Sequence, residues 1–259
     1  MKRNIRIIVR AIIIVCILFI CVFGGKLAYN FLYEKFNPPF EETTIFPDEG
    51  RENPADTTFT VNGIEIKMIG IKGGKINCKG LRETIELNDF YIGETEVTQE
   101  LWISVMENNP SIHRNSILCP VESIDLVECL EFVHKLDSVS GIRFYIQSYP
   151  EWLYAAHLGG NNLNTSYYDD SMSWYKENSD NTTHPVKQKK PNTLGIYDMV
   201  GNVSEWTISG SDPLFFVMGD SYENEKERIN IDAHDVYHAN IKMGSTGLRL
   251  VCYPKKQKK

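Results

Sequence analysis

Along this chain the spacing of apolar positions changes several times, and each change marks a new element. From Phe59 apolar and polar residues alternate through Val61, then Asn62-Gly63, then Ile64, Ile66 and Met68. Asn-Gly between two alternating runs predicts a tight hairpin, because both turn positions need positive φ. A second strand pair is expected around Ile71-Lys72-Gly73-Gly74 and from Thr84 to Ile92. The period then lengthens. Thr98 can cap a helix carrying Leu101, Trp102, Val105 and Met106 inward and ended by Pro110. Ser123 opens another with Leu126, Leu130, Val133 and Leu136 on one face, closed by Gly141. Ser148-Tyr149-Pro150-Glu151 has the form of a capping box before Trp152-Leu153-Tyr154-Ala155-Ala156, with Gly159 as the stop. From Asn161 to Ser245 no periodic segment persists, so turns, side-chain hydrogen bonds or bound ions must hold that stretch.

The start of the chain follows another rule. Lys2, Arg3, Arg6 and Arg10 precede an uncharged run from Ala11 to Gly25, and after Lys26 apolar residues resume to Tyr33. A spanning helix needs roughly 20 such residues. The basic cluster assigns 1–10 to the cytoplasm and makes 11–33 a transmembrane signal anchor. A cleaved signal peptide shares the basic start, but no pair of small residues marks a cut site. A lipoprotein reading is weakened by the bulky Ile20 before Cys21. Residues 34–58, with Pro38, Pro39, Pro47 and Pro54 among acids and threonines, form an extended stalk. The main domain spans 59–254, periplasmic or extracellular, and 255–259 is a basic tail.

Charge and cysteines narrow the function. All 34 acidic residues fall between 11 and 254, against 19 of the 27 basic ones, leaving the exported part about 15 units negative. That argues against nucleic acid and is compatible with cation binding. Cys78, Cys119, Cys129 and Cys252 remain for the domain and form no Cys-x-x-Cys, so they are expected to be structural disulfides or buried thiols.

Several motifs line up in a fixed order: Ile71-Lys72-Gly73-Gly74, Gly93-Glu94-Thr95-Glu96-Val97-Thr98-Gln99 with Trp102, Asn108-Asn109-Pro110-Ser111 and Pro120-Val121-Glu122. They continue with Glu151-Trp152-Leu153-Tyr154-Ala155-Ala156, Trp174-Tyr175, His184-Pro185-Val186, the run Pro191 to Trp206, and Gly247-Leu248-Arg249-Leu250-Val251. The ordered set resembles the formylglycine-generating, or sulfatase-modifying-factor, family over roughly residues 64–252. The resemblance implies an α+β fold, a C-type-lectin-like variant with much irregular chain, here preceded by one transmembrane helix. In the active branch two cysteines hold copper and oxidise a sulfatase cysteine to formylglycine, thiolates being soft ligands suited to Cu(I). A gap-free carry-over places Asn224 and Ile229 at those cysteine positions, and no cysteine lies between Cys129 and Cys252. Copper oxidation is therefore not expected, and the chain reads as a pseudoenzyme. The family's Arg-Leu-Pro-Thr-Glu-Ala-Glu-Trp corresponds to Tyr145 through Trp152, which keeps the helix cap and loses the arginine. A second branch, which uses iron on three histidines of a helical bundle, has no room here.

The resemblance also implies a structural calcium held by the side chains of Asp198 and Glu205 and the carbonyls of Gly201 and Val203. The alternative is that Gly201, Asn202 and Glu205 merely shape a turn. The expected role is binding of an envelope protein, peptide or glycan. The competing expectation is a metal-dependent enzyme with a relocated site around Glu227, His234 and His238, or a helper that binds sulfatases without modifying them. Segments 144–150 and 222–243 depart most from the family pattern, and are the ones that could fill its substrate groove.

Overall fold

The computed structural model describes residues 43–48, 50–78, 83–158, 169–211 and 214–254. The expected anchor at 11–33, the basic tail and Gly159 lie outside the described residues. Among the described residues no helix is long and apolar enough to cross a membrane.

The Asn62-Gly63 hairpin forms as its chemistry requires. β2 (Thr57–Val61) pairs with β3 (Ile64–Ile71), and the turn residues take φ values of 51° and 83°. β3 then pairs with β6 (Phe90–Gly93), β6 with β12 (Leu250–Cys252), and β12 with β7 (Phe144–Ile146), all antiparallel. The second expected pair is split. β4 (Gly74–Asn77) pairs with β5 (Ile85–Leu87) in a separate three-stranded sheet, whose third member is β1 (Thr44–Pro47). β1 lies in the stretch read as a stalk. Residues 43–48 and 50–58 instead lie on the domain: Asn53 Oδ1 accepts from the Lys72 amide at 3.1 Å, and a side chain at Gly70 would meet the Pro54 carbonyl at 2.0 Å. Proline and acidic content lowered the expected burial, but two paired strand backbones satisfy this segment without a large apolar face.

Helix α1 (Gln99–Met106) begins at Thr98, whose hydroxyl accepts the Leu101 amide, and ends at the cap residue Glu107, in the left-handed region three residues before Pro110. α2 (Leu126–Ser140) starts at Asp125, not Ser123; Asp125 and Glu128 exchange the two bonds of a capping box. Leu126, Val133 and Leu136 are buried, whereas Leu130 is half exposed. Gly141 closes the helix at φ 67°. Trp102 of α1 stacks on Phe132 of α2 at 4.8 Å between ring centres. α3 (Tyr149–Leu158) opens on the expected box, with Ser148 amide and hydroxyl both donating to Glu151.

The stretch from 161 to 245 contains more regular structure than its composition suggests. β8 (Ser204–Ser211), β9 (Leu214–Met218) and β10 (His234–His238) are antiparallel neighbours, and β11 (Thr246–Gly247) pairs parallel with the start of β8. Glycines, serines and a bulge between Trp206 and Gly210 mask the strand alternation. The parallel bridge opposes Gly247 to Glu205 and so delivers Arg249 to the run from Pro191 to Trp206, the signature loop of the motif set. Asp125→Ala is expected to lower stability by about 1 kcal/mol in urea unfolding, because α2 loses its cap; an unchanged midpoint would show that the box contributes nothing.

Candidate functional site

The signature loop folds through left-handed backbone. Gly195, Asp198, Gly201 and Asn202 have φ values of 87°, 52°, 87° and 58°. Gly201 is required on two grounds: its φ, and a Trp174 carbonyl only 2.2 Å from where a side chain would begin. The Asn202 amide donates to that same carbonyl at 2.9 Å. Trp206 closes the loop, fully buried, with its indole donating to the Ile124 carbonyl.

Beneath this loop lies a charged core. Arg249, with no exposed surface, donates to Glu205 Oε1 from Nε at 2.9 Å and from Nη2 at 2.7 Å. It also donates to the carbonyls of Gly93, Tyr197 and Asp198. Glu205 Oε2 takes two further donors, Gln147 at 2.6 Å and Trp152 at 2.9 Å. Glu96 accepts from the Val203 amide and the Asn202 side chain. Three carboxylates, Glu96, Asp198 and Glu205, thus share one guanidinium in the interior. Burial, reinforced by Asp198 and Glu205, raises the Glu96 carboxyl well above its ordinary value; burial pushes Asp198 up to about 6. Asp198 Oδ2 accepts from the Lys187 amide, while its Oδ1 is buried without a hydrogen-bond partner.

The four expected calcium residues therefore converge on one loop and the start of β8. An orphaned carboxylate oxygen in an acidic interior fits a hard cation. Glu205 fits as a source of charge, since its oxygens already take four donors. Glu96 and Gln147 belong to this core as well, both buried; the signal available for Glu96 is its place in the ordered Gly93 to Gln99 motif, and nothing local marks Gln147.

The histidine pair does not make a relocated metal site. His234 and His238 lie on β10, where four residues span about 13 Å, beyond the reach of one ion. Glu227 is exposed. Among the described residues no three His, Cys, Asp or Glu side chains gather to hold a metal. All four domain cysteines are free, buried thiols rather than disulfides. Burial raises the Cys78 thiol to about 12 and Cys252 to about 11, so neither is a ready nucleophile.

Asn224 lines a cavity of about 410 Å³ walled by Ser204, Ser221, Glu223, Arg228, Asp235 and Tyr237, among others. Asn224 Oδ1 accepts from the amide and hydroxyl of Ser221, so its side chain is fixed at the cavity wall by an amide oxygen that is a poor ligand for a soft ion. A larger opening of about 810 Å³ runs past Phe46, Lys75 and Tyr253, where Arg51 is already paired with Asp48 and Asp89. The smaller cavity is the candidate site because Asn224, one of the two altered family positions, lines it; Ile229, the other, is not part of its wall.

Mixed sheets with few helices, a glycine-turned loop over a buried Arg-Glu core and Asn224 in place of a cysteine at the wall of a cavity define a formylglycine-generating-type domain without its thiolate pair. The sulfatase-modifying factor enzyme 1-like domain family matches residues 54–253, and the chain belongs to that family. It is 29% identical to the chaperone protein LppX of Paenibacillus barcinonensis over 48% of this chain, and spans 63% of that relative's length. Among solved structures, Treponema denticola variable protein 1 is similar at a TM-score of 0.70 and 25% identity, covering 78% of this chain and all of that one. PvdO from Pseudomonas aeruginosa shares the fold at a TM-score of 0.66 and 16% identity, over 79% of this chain and all of its own.

Two outcomes follow from the charged core. Arg249→Met is expected to destabilise the fold by about 3–5 kcal/mol, because it strands buried carboxylates; a loss below 1 kcal/mol in urea would mean that the cluster neutralises itself by proton uptake. In chelator, the thermal midpoint is expected to rise as pH falls from 7.5 towards 5. Asp198 is protonated more readily folded than unfolded, so the penalty of its buried charge is relieved as pH drops through about 6. Asp198→Asn should flatten that rise, and an equal rise in the variant would exclude Asp198 as its source.

Proposed function

We propose that this chain is a membrane-tethered, exported member of its family that binds an envelope protein or peptide and does not generate formylglycine. The observation that carries this reading is Asn224 at the cavity wall, hydrogen-bonded to Ser221, where the active branch needs a thiolate. The only described cysteines are buried and chemically quiet. A relative named a chaperone protein favours a protein partner over a glycan. In this reading residues 11–33 anchor the chain and hold the domain beside the envelope proteins it binds.

Calcium completes the proposal. Asp198 Oδ1 with the carbonyls of Gly201 and Val203 would hold it, and Glu205 would balance its charge. When bound, the ion supplies positive charge to a core that is otherwise short of it, and so stiffens the loop. The decisive experiment measures metal content of the purified full chain together with aldehyde formation on a cysteine-containing sulfatase peptide under copper and oxygen. Calcium near one equivalent, a midpoint lowered by chelator and no aldehyde are the expected results. Stoichiometric copper or any catalytic turnover of cysteine to aldehyde would overturn the reading. Asp198→Ala should abolish the chelator sensitivity.

A further inference from the structure

The cavity beside Asn224 carries more information than its position. Its volume, about 410 Å³, falls within the range of small-ligand pockets, about 300–1,000 Å³. Such pockets are mostly apolar. This one is lined by hydroxyls from Ser204, Ser221, Ser245 and Thr246, and by charged side chains. Ser221 and Thr246 are themselves almost fully buried, so part of the wall is fixed polar structure and not mobile surface.

Its charges do not balance. Arg228, the one cation of the wall, is engaged on both sides: Nε donates to Asp220 at 2.9 Å and Nη2 to Asp235 at 2.6 Å. Asp220 lies buried behind the wall, and burial raises its carboxyl even with Arg228 attached. Glu223 forms no ion pair among the described residues; it accepts only the Tyr222 hydroxyl, at 3.1 Å. Tyr222 is held in turn by His113, whose Nε2 lies 2.8 Å from the phenol, so the carboxylate stands on a supported side chain. The cavity thus presents at its mouth an exposed carboxylate with no ion-pair partner among the described residues, beside hydroxyl-bearing walls and with its resident guanidinium already paired. An anionic ligand would meet net repulsion there, and an apolar one would leave these groups unsolvated and unpaired.

We infer that this cavity receives a basic side chain, lysine or arginine, of the bound protein or peptide, with Glu223 as its counter-ion. The inference rests on the reading of the chain as a binding protein and specifies what it recognises. A cation at Glu223 adds a charge-assisted hydrogen bond and restores the balance that Arg228 cannot supply alone.

The test uses the full chain in detergent and two capped pentapeptides, Ser-Gly-Lys-Gly-Ser and its norleucine counterpart, followed by ligand-observed NMR at moderate salt. The lysine peptide should bind and the norleucine peptide should not. Glu223→Gln should weaken lysine-peptide binding about tenfold or more, while Glu52→Gln, an exposed acid outside the cavity wall, leaves it unchanged. Both variants should keep the parental melting temperature. Equal binding of the two peptides, no binding of the lysine peptide, or equal losses in the two variants would each overturn the inference, the last by reducing it to attraction towards a negative surface. Aldehyde formation would instead sink the binding-protein reading itself, so the two failures are distinguishable.

Discussion

Arg249 bound to Glu205 is the interaction on which the rest of this molecule depends. Neither residue has exposed surface. A buried pair of this kind is tolerable only when its polar atoms find partners, and here every nitrogen of the guanidinium and both oxygens of the carboxylate are bonded: the guanidinium reaches three carbonyls besides the carboxylate, and Gln147 and Trp152 complete the carboxylate. Those partners come from β6, the signature loop, the segment before α3, and α3 itself. One ion pair therefore fixes how the five-stranded sheet, the third helix and the long irregular region meet.

The same core explains why the irregular region needs so little regular structure. Its segments are tied by polar contacts that reach across the sequence: the Tyr197 amide to the Glu94 carbonyl, Val203 to Glu96, and Asn202 to Trp174 and Tyr222. Each replaces a ladder bond that a strand or helix would have supplied. The apolar counterpart runs through Trp102, Phe132, Leu136, Trp206 and Leu250, all in one buried cluster.

What was legible from sequence divides by the range of the interaction. Local rules placed the Asn62-Gly63 hairpin, the Thr98 cap, the Ser148 to Glu151 box and the Gly141 stop, because each is decided within a few residues. The ordered motifs identified the family and the missing thiolates. Rules of longer range were hidden. β1 lay concealed in a proline-rich acidic stretch, and β8 to β10 in a polar one, because pairing partners compensate for weak intrinsic preference. Glu96 and Gln147 were invisible as site residues since their meaning comes from Asp198 and Glu205, about 100 and 60 residues away in the chain, a distance no period can encode. The histidine pair shows the converse: a four-residue spacing has no fixed geometry until the backbone is known to be strand or helix.

The parallel bridge of β11 to β8 has a consequence for how the protein is made. Glu96, Asp198 and Glu205 all precede Arg249 in the chain and so leave the ribosome before it. Until that arginine emerges, burying the three carboxylates would leave them without a cation, at several kcal/mol for each uncompensated charge. The acidic loop can therefore seal only once Arg249 is in place, so the order in which the chain is made sets the order in which its interior closes.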